Sequence, residues 1–347
     1  MVVPPLSRMP AHVTIRGSGM AARCCARLLT QNGIMTKCAG AVTSTGPAVL
    51  LGETAQVLLR DCMGKSLQQS RYMPVTRRIV AWGGQEPVVV PHRGAAFAPG
   101  ALNALFHQPG RQEADMIGAP LFIVHGIGPF PKSRLRRFGS RPATAASVTL
   151  LHPEDEDACW IEALDHGWLF MLSTAPGQGW LLGVGAPLDD LCQMSRHLAP
   201  RVVVTGQPQG PFETAPRLLE CLAAPGWLAC GNEAIAFDPL CGDGTAQAAR
   251  EAILAAAVIT AIMEYPDDPH AMETLLMHYR SMLLASMRRH LRFCAQFYSM
   301  GGNSPWWRTQ ISALATGFEW CSGQLAGLPQ PRYELHGLRL VPRMVPA

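Results

Sequence analysis

Two glycine turns carry the chemistry that this chain can do. The first follows an apolar strand, Val13-Thr14-Ile15-Arg16, and reads Gly17-Ser18-Gly19-Met20-Ala21-Ala22 before a helix that runs to Gln31. Gly17 permits the tight turn and Gly19 lets a phosphate approach the backbone. Ala22, where a third glycine often sits, keeps the helix close to the sheet. A pyrophosphate would rest on the free N–H groups of Met20, Ala21 and Ala22 and on the positive end of the helix dipole. The second turn follows the strand that begins at Trp227. It reads Gly231-Asn232 and then Asp238-Pro239-Leu240-Cys241-Gly242-Asp243-Gly244-Thr245, ahead of a helix over 245–264. Gly242 and Gly244 expose backbone N–H groups at that helix start, suited to an anionic ring edge. A glycine turn before an alanine-rich core helix is the other reading of the same residues.

Together the two turns resemble the FAD-dependent monooxygenase and halogenase-like superfamily. There the first turn holds the ADP pyrophosphate. The second, usually Gly-Asp followed by Asp-Pro-Leu-Ser-Gly-x-Gly, holds the ribityl chain and flavin. Other segments agree in the same order. Gly52-Glu53 with Leu58-Leu59 and Met63-Gly64 is similar to the family's Gly-Glu segment, and 165–171 to its tryptophan-rich strand. Tyr279, Arg288-Arg289, Phe297-Tyr298 and Pro305-Trp306-Trp307 are similar to its C-terminal helices. The similarity spans about 11–310, and its spacing is most similar to flavoprotein maturases of quinone-cofactor amine and amino-acid oxidases. Those proteins hydroxylate a tryptophan of a partner precursor on the way to cysteine tryptophylquinone.

The resemblance implies an α/β fold: a ββα-type, Rossmann-like FAD/NAD(P)-binding domain, a small antiparallel-sheet substrate domain and C-terminal helices. The FAD domain would come from 11–66, 110–145 and 225–265, and the substrate domain from 67–109 and 146–224. A helical section over 266–328 and a tail over 329–347 complete the chain. Cofactor-binding positions carried over are Gly17, Gly19, Met20, Ala21, Ala22, Glu53, Gly231, Asn232, Pro239, Gly242, Asp243, Gly244 and Thr245. The implied activity is hydroxylation of an aromatic side chain, with tryptophan in a precursor oxidase the candidate. A free small aromatic substrate and a non-catalytic scaffold are the alternatives.

Departures from the family pattern bear on the cofactor. No acid lies between Gly33 and Gly52, although the second strand normally ends in Glu or Asp on the adenosine ribose; that place falls at Gly40 or its neighbour. Losing a carboxylate hydrogen bond there costs roughly 1.5–3 kcal/mol, or about one to two decades in affinity. Asn232 keeps an acceptor but not a charge. The family's Asp-Ala-Thr-Gly-Arg appears only as His125-Gly126-Ile127-Gly128-Pro129. FAD binding that is weak, completed by a partner, or lost all remain open. The Trp-x-Trp-x-Ile-Pro halogenase signature would fall on 168–173, which lacks the second Trp and the Pro, and Lys65 is the nearest lysine to a catalytic place. No NADPH pyrophosphate motif stands out, which points to an external reductant.

Flavin chemistry asks few side chains to react. Candidates facing the flavin are Glu53, Trp82, His92, Arg93 and Asp238. Each has a plain structural counterpart: a helix-start acid, a core ring, a surface pair (His92 with Arg93), a turn former before Pro239. Trp306-Trp307 fits either a lid or helix packing. Cys241 stands where the family more often has serine.

Composition agrees with a globular chain. Of 347 residues, 48% are hydrophobic and 16% charged, which excludes a disordered polymer. A net charge of +4 gives no polyanion footprint, so no nucleic-acid partner is implied. The cluster Lys132-Ser133-Arg134-Leu135-Arg136-Arg137 reads as a solvated helix face or a surface for an acidic partner. The 11 cysteines show no C-x-x-C pair and no zinc spacing, so no metal is expected, and a reducing compartment fits. No leader is legible in 1–10 and no run reaches about 18 apolar residues; a cytoplasmic protein without a membrane span is the expectation.

The coarse pattern predicts strands over 37–42, 88–90, 121–124, 145–151, 159–164, 168–173, 180–185 and 202–204. Helices are predicted over 52–62, 99–106, 188–197 and 214–222, and through most of the chain from 269.

Overall fold

The computed structural model describes residues 12–40, 48–64, 71–105, 120–131, 133–242 and 244–343. The chain begins with β1 (His12–Arg16), α1 (Met20–Gln31) and β2 (Met35–Ala39), followed by β3 (Val49–Gly52) and α2 (Glu53–Met63). Next come β4 (Met73–Ala81), β5 (Val88–Phe97), α3 (Ala101–Leu105), β6 (Phe122–His125) and β7 (Leu135–Arg137). The antiparallel run is β8 (Pro142–Leu150), β9 (Ala158–Leu164), β10 (Gly167–Ala175) and β11 (Gln178–Val184). Then α4 (Leu188–Met194), β12 (Val202–Val204), β13 (Gln209–Glu213), β14 (Arg217–Leu219), β15 (Ala223–Ala224), β16 (Trp227–Ala229) and β17 (Ile235–Ala236) lead to the helices. These are α5 (Gly244–Glu264), α6 (Pro269–Gly301) and α7 (Pro305–Ala326), with a final hairpin β18 (Tyr333–His336) and β19 (Arg339–Pro342).

Two main sheets result. The first has the order β15-β16-β6-β1-β2, and β1 runs parallel to both β2 and β6, as β6 does to β16. The second has nine strands, ordered β12-β8-β11-β10-β9-β4-β5-β3 with β13 beside β8. It is antiparallel except where β4 lies along β9. This is the mixed α/β architecture the sequence predicted, with a parallel nucleotide-type sheet, an antiparallel sheet and C-terminal helices.

Parallel strands buried on both faces read as continuous apolar runs, and Val13, Ile15, Phe122 and Val124 are at most 1% exposed. Helix α5 packs on α1 and α2. Its small side chains allow this close approach: Ala246, Ala249, Ala252 and Ala255 are all fully buried. Among the described residues α5 alone is long and apolar enough to cross a membrane, and it is buried inside the protein.

Several expectations need correction. The segment 214–222 is not a helix: β14 pairs with β7 and β17, and these long-range ladders override the local helical pattern. The basic cluster is not a helix face either. Its described part contains β7, where Arg136 pairs with Glu220 at 2.5 Å and stacks on Trp320, so that charge is satisfied inside the chain. Lys132, like Lys65 and Asp243, lies outside the described residues. The strand at 88–90 is one end of a ten-residue strand that pairs with β4. Pro74 near the start of β4 hid that partner, because proline interrupts a ladder. The tail forms the β18/β19 hairpin.

Candidate functional site

The first turn sits at the carboxyl ends of β1, β2 and β6, the position where open parallel sheets bind ligands. Gly17 has φ +114°, and a Cβ there would lie 3.1 Å from the backbone of Gly126. The Gly17 N–H donates to the Ala39 carbonyl at 2.8 Å and the Gly126 N–H to the Arg16 carbonyl at 2.7 Å. These bonds clamp the turn between the two neighbouring strands. Gly19 is the N-cap of α1 in extended conformation and no side chain caps that end. The first-turn N–H groups therefore keep their capacity for an outside acceptor. Ala21 and Ala22 are buried beneath the turn.

Gly231 belongs to the same locus. It follows β16, has φ +89°, and a Cβ would meet that of Ala21 at 3.1 Å. Its N–H donates to Glu251 Oε2 at 2.7 Å. Glu251 is 1% exposed on α5, and burial pushes its carboxyl up to about 8, against the opposing pull of that N–H and of Gln247. Asn232 is exposed beside it. Sequence reasoning missed Glu251, whose signal was a lone acid at the edge of an alanine run.

The second turn opens on a cavity of about 1460 Å³ between the nine-stranded sheet, α2 and α6. Gly52, Glu53, His92, Arg93, Leu240 and Gly242 are among its walls, so residues from three distant stretches meet there. The register explains one meeting: Gly52 pairs with Gly94 across β3 and β5, which sets Glu53 beside Arg93. Their charged ends lie 4.0 Å apart and mostly exposed, a contact worth little to stability. His92 lies below its usual pKa, first through burial and then through Arg78. Gly242 is exposed with φ +62°, Gly244 opens α5 exposed, and Pro239 and Thr245 on either side of them are half-buried.

The cavity is positive. Arg78, Arg93, Arg250 and Arg289 line it, with Glu53 the sole carboxylate among the described lining residues. Arg78 approaches Gly242 closely. The sequence reading missed Arg78 because β4 itself was missed. Such a wall favours an anionic ligand.

Asp238 does not face this space. Its side chain and that of Arg141 are fully buried, with Nη1 of Arg141 3.1 Å from Oδ2. Oδ2 also accepts from the Tyr298 hydroxyl at 2.8 Å, and Oδ1 from the Leu240 N–H at 2.9 Å. Burial raises its pKa, and Arg141 opposes the rise. Asp238 thus anchors the turn from behind, and its expectation as a group facing the cofactor is corrected. Trp82 lines the cavity and donates from Nε1 to the Phe297 carbonyl at 2.9 Å. Trp307 is fully buried, edge-on to Trp82, and donates to the Leu164 carbonyl, so it is a packing residue.

Known structures share this architecture. CmlS, a flavin-dependent halogenase, aligns with a TM-score of 0.73 at 14% identity over 95% of this chain and 75% of its own. QhpG, a peptidyl tryptophan dihydroxylase essential for tryptophylquinone cofactor biogenesis, aligns at 0.66 with 18% identity, covering 86% of this chain and 78% of QhpG. PqsL of P. aeruginosa, solved with 2-aminobenzoylacetate, aligns at 0.62 with 14% identity, covering 88% and 99%. The chain has the fold of these flavoproteins. No protein-family model matches the sequence, and no curated protein matches it.

Proposed function

We propose that this protein is an FAD-dependent oxidoreductase of monooxygenase type. The observation that carries the reading is the glycine crevice at the ends of β1, β2 and β6, set in a fold shared with FAD-dependent enzymes, together with a cationic cavity at the turn before α5. The donor set suits the group at two of its parts. Gly17 and Gly126 pack backbone against backbone to close the turn, Gly19 leaves open space where a pyrophosphate would approach, and the uncapped start of α1 offers its N–H groups. Gly242 and Gly244 leave the start of α5 open for the flavin ring edge. Gly231, Asn232, Pro239 and Thr245 would border the ribityl chain, and Glu53 the opposite wall.

When bound, reduced FAD supplies the chemistry that activates O₂. The chain's own part is to bind, orient and exclude water. Arg78 beside Gly242 would neutralise negative charge on the ring edge. Trp82 and Phe237 supply apolar walls, and His92, held below its usual pKa, stays neutral at pH 7 and offers a ring nitrogen to the substrate side.

For the substrate, we infer an aromatic side chain of a partner protein, with tryptophan in a precursor oxidase the specific candidate. The cavity mouth supports a chain-borne substrate: Phe293, Phe297 and Met300 line it from α6 and are 44%, 45% and 57% exposed. Apolar groups held in water beside an open cavity suit a protein surface better than a small solute. One structural neighbour acts on a peptidyl tryptophan. An external reductant completes the proposal.

The test begins with the visible spectrum of the protein after FAD addition and removal of excess. Retained flavin bands are expected. Reductant, O₂ and a precursor oxidase should then yield a precursor heavier by whole oxygen atoms. A protein that never retains FAD would shift the reading to a scaffold, the alternative favoured by the missing ribose acid.

A further inference from the structure

A second chemical group lies in the cavity wall, built from residues that the flavin reading leaves idle. Cys241 lines the cavity from the turn before α5. Cys294 lies behind it on α6, fully buried, and the two sulfurs are 3.7 Å apart. His290, one helical turn before Cys294, brings Nε2 to 3.3 Å from the Cys294 sulfur. Its ring stacks on Phe237 at 4.0 Å and accepts the Asp238 N–H at 2.8 Å, so the imidazole cannot swing away. Burial, then Arg141, pushes His290 down to about 3, which keeps it neutral. The Cys294 thiol is pushed up, first by its hydrogen bond to Cys241 and then by burial. A thiol on the cavity wall with a second, buried thiol 3.7 Å behind it is the arrangement of an attacking and a resolving cysteine.

We propose that Cys241 and Cys294 form a redox-active pair, which a peroxide entering the cavity converts to a disulfide. The site rests on the two thiols and the cavity alone, so it stands whether or not FAD binds. In the first step the Cys241 sulfur attacks hydrogen peroxide. An S–O bond forms, the O–O bond breaks, and hydroxide leaves with the thiol proton as water. In the second step the Cys294 sulfur attacks the Cys241 sulfenic acid. An S–S bond forms, the S–O bond breaks, and a second water leaves with the Cys294 proton. Two thiols are oxidised by two electrons and one peroxide is reduced to two waters. The new bond would tie the turn that begins α5 to α6, fixing one wall of the cavity.

The experiment treats the reduced full-length protein with stoichiometric hydrogen peroxide, blocks remaining thiols and maps peptides without reduction. The expected result is loss of two of the 11 thiols and a cross-linked Cys241–Cys294 peptide, reversed by dithiothreitol. Cys241→Ser should leave Cys294 a thiol, and Cys294→Ser should leave a Cys241 sulfenic acid that dimedone traps. The wild-type map decides the question even where a variant fails to fold. The proposal is overturned if exposed Cys38 oxidises while the pair stays reduced, or if Cys241 goes on to sulfinic acid without a cross-link. It is also overturned if the purified protein holds one equivalent of zinc that Cys294→Ser loses, because the same three side chains would then be a metal site.

Discussion

Gly40 packs directly on Gly17: a Cβ on Gly40 would sit 3.1 Å from the Gly17 backbone, and Gly40 itself has φ +146°. A side chain at Gly40, one of the two positions that would carry a ribose acid, would therefore need a strained backbone and a small shift of the Gly17 turn.

Gly40→Glu should consequently fail to restore a ribose contact. It forces a side chain into a conformation that disfavours one, at a cost of about 1–3 kcal/mol, and pushes on Gly17. Denaturant unfolding should show a lower midpoint, and FAD titration should show binding no tighter than wild type. Tightened binding would mean that the β2 end can move aside and that the site is a weakened one.

Glu251 predicts a pH dependence. The unfolded chain ionises this group near its ordinary 4.5 and the folded chain near 8. Between those values the folded state holds the extra proton, so stability falls as pH rises through the window and the contribution is fully present only below it. The loss amounts to about 5 kcal/mol across the window. Glu251→Gln keeps an acceptor for the Gly231 N–H and removes the titration. Its unfolding midpoint should hold nearly constant from pH 5 to 8 while wild type declines. Parallel declines in both proteins would assign the effect elsewhere.

The buried Asp238–Arg141 pair gives a sharper cost. Asp238→Ala leaves a guanidinium without a counter-ion in a fully buried site, where breaking such a pair costs about 3–5 kcal/mol. The double variant Asp238→Ala/Arg141→Met should recover part of that loss, because neither charge then remains. Chemical denaturation of the three proteins measures this directly. Equal stability of the single and double variants would show that Arg141 finds another partner or reaches water.

Much of this was legible in the sequence, for a physical reason. The turn at Gly17–Gly19 and the start of α5 obey local rules in which spacing, missing side chains and apolar flanks all point one way. The antiparallel run from β8 to β11 showed clear turns between its strands. What stayed hidden depends on tertiary contact. Asp238 stands in a recognised motif, and only its neighbours Arg141 and Tyr298 show that it turns inward. Cys241 and Cys294 lie 53 residues apart, and no periodicity announces that α6 folds back onto the turn. Gly40 looked like a lost contact; its positive φ and closeness to Gly17 show a position where a side chain is strained and crowded.

Arg78 offers the most direct test of what the cavity binds. It reaches from β4 toward Gly242, its Nε has no hydrogen-bond partner among the described residues, and it shares the wall with three other arginines. A cation in that position, facing the open start of α5, would reinforce the helix dipole toward an anionic ring edge. Arg78→Ala should weaken FAD binding about ten- to a hundredfold, the effect of losing one charge-assisted hydrogen bond worth about 1.5–3 kcal/mol. Arg78→Lys should recover part of the affinity, since charge survives while the planar fork does not. Flavin fluorescence titration at two salt concentrations reads both, and the wild-type advantage should shrink at the higher salt. Equal affinity of all three proteins would place the cofactor elsewhere and leave the arginines to a negatively charged substrate.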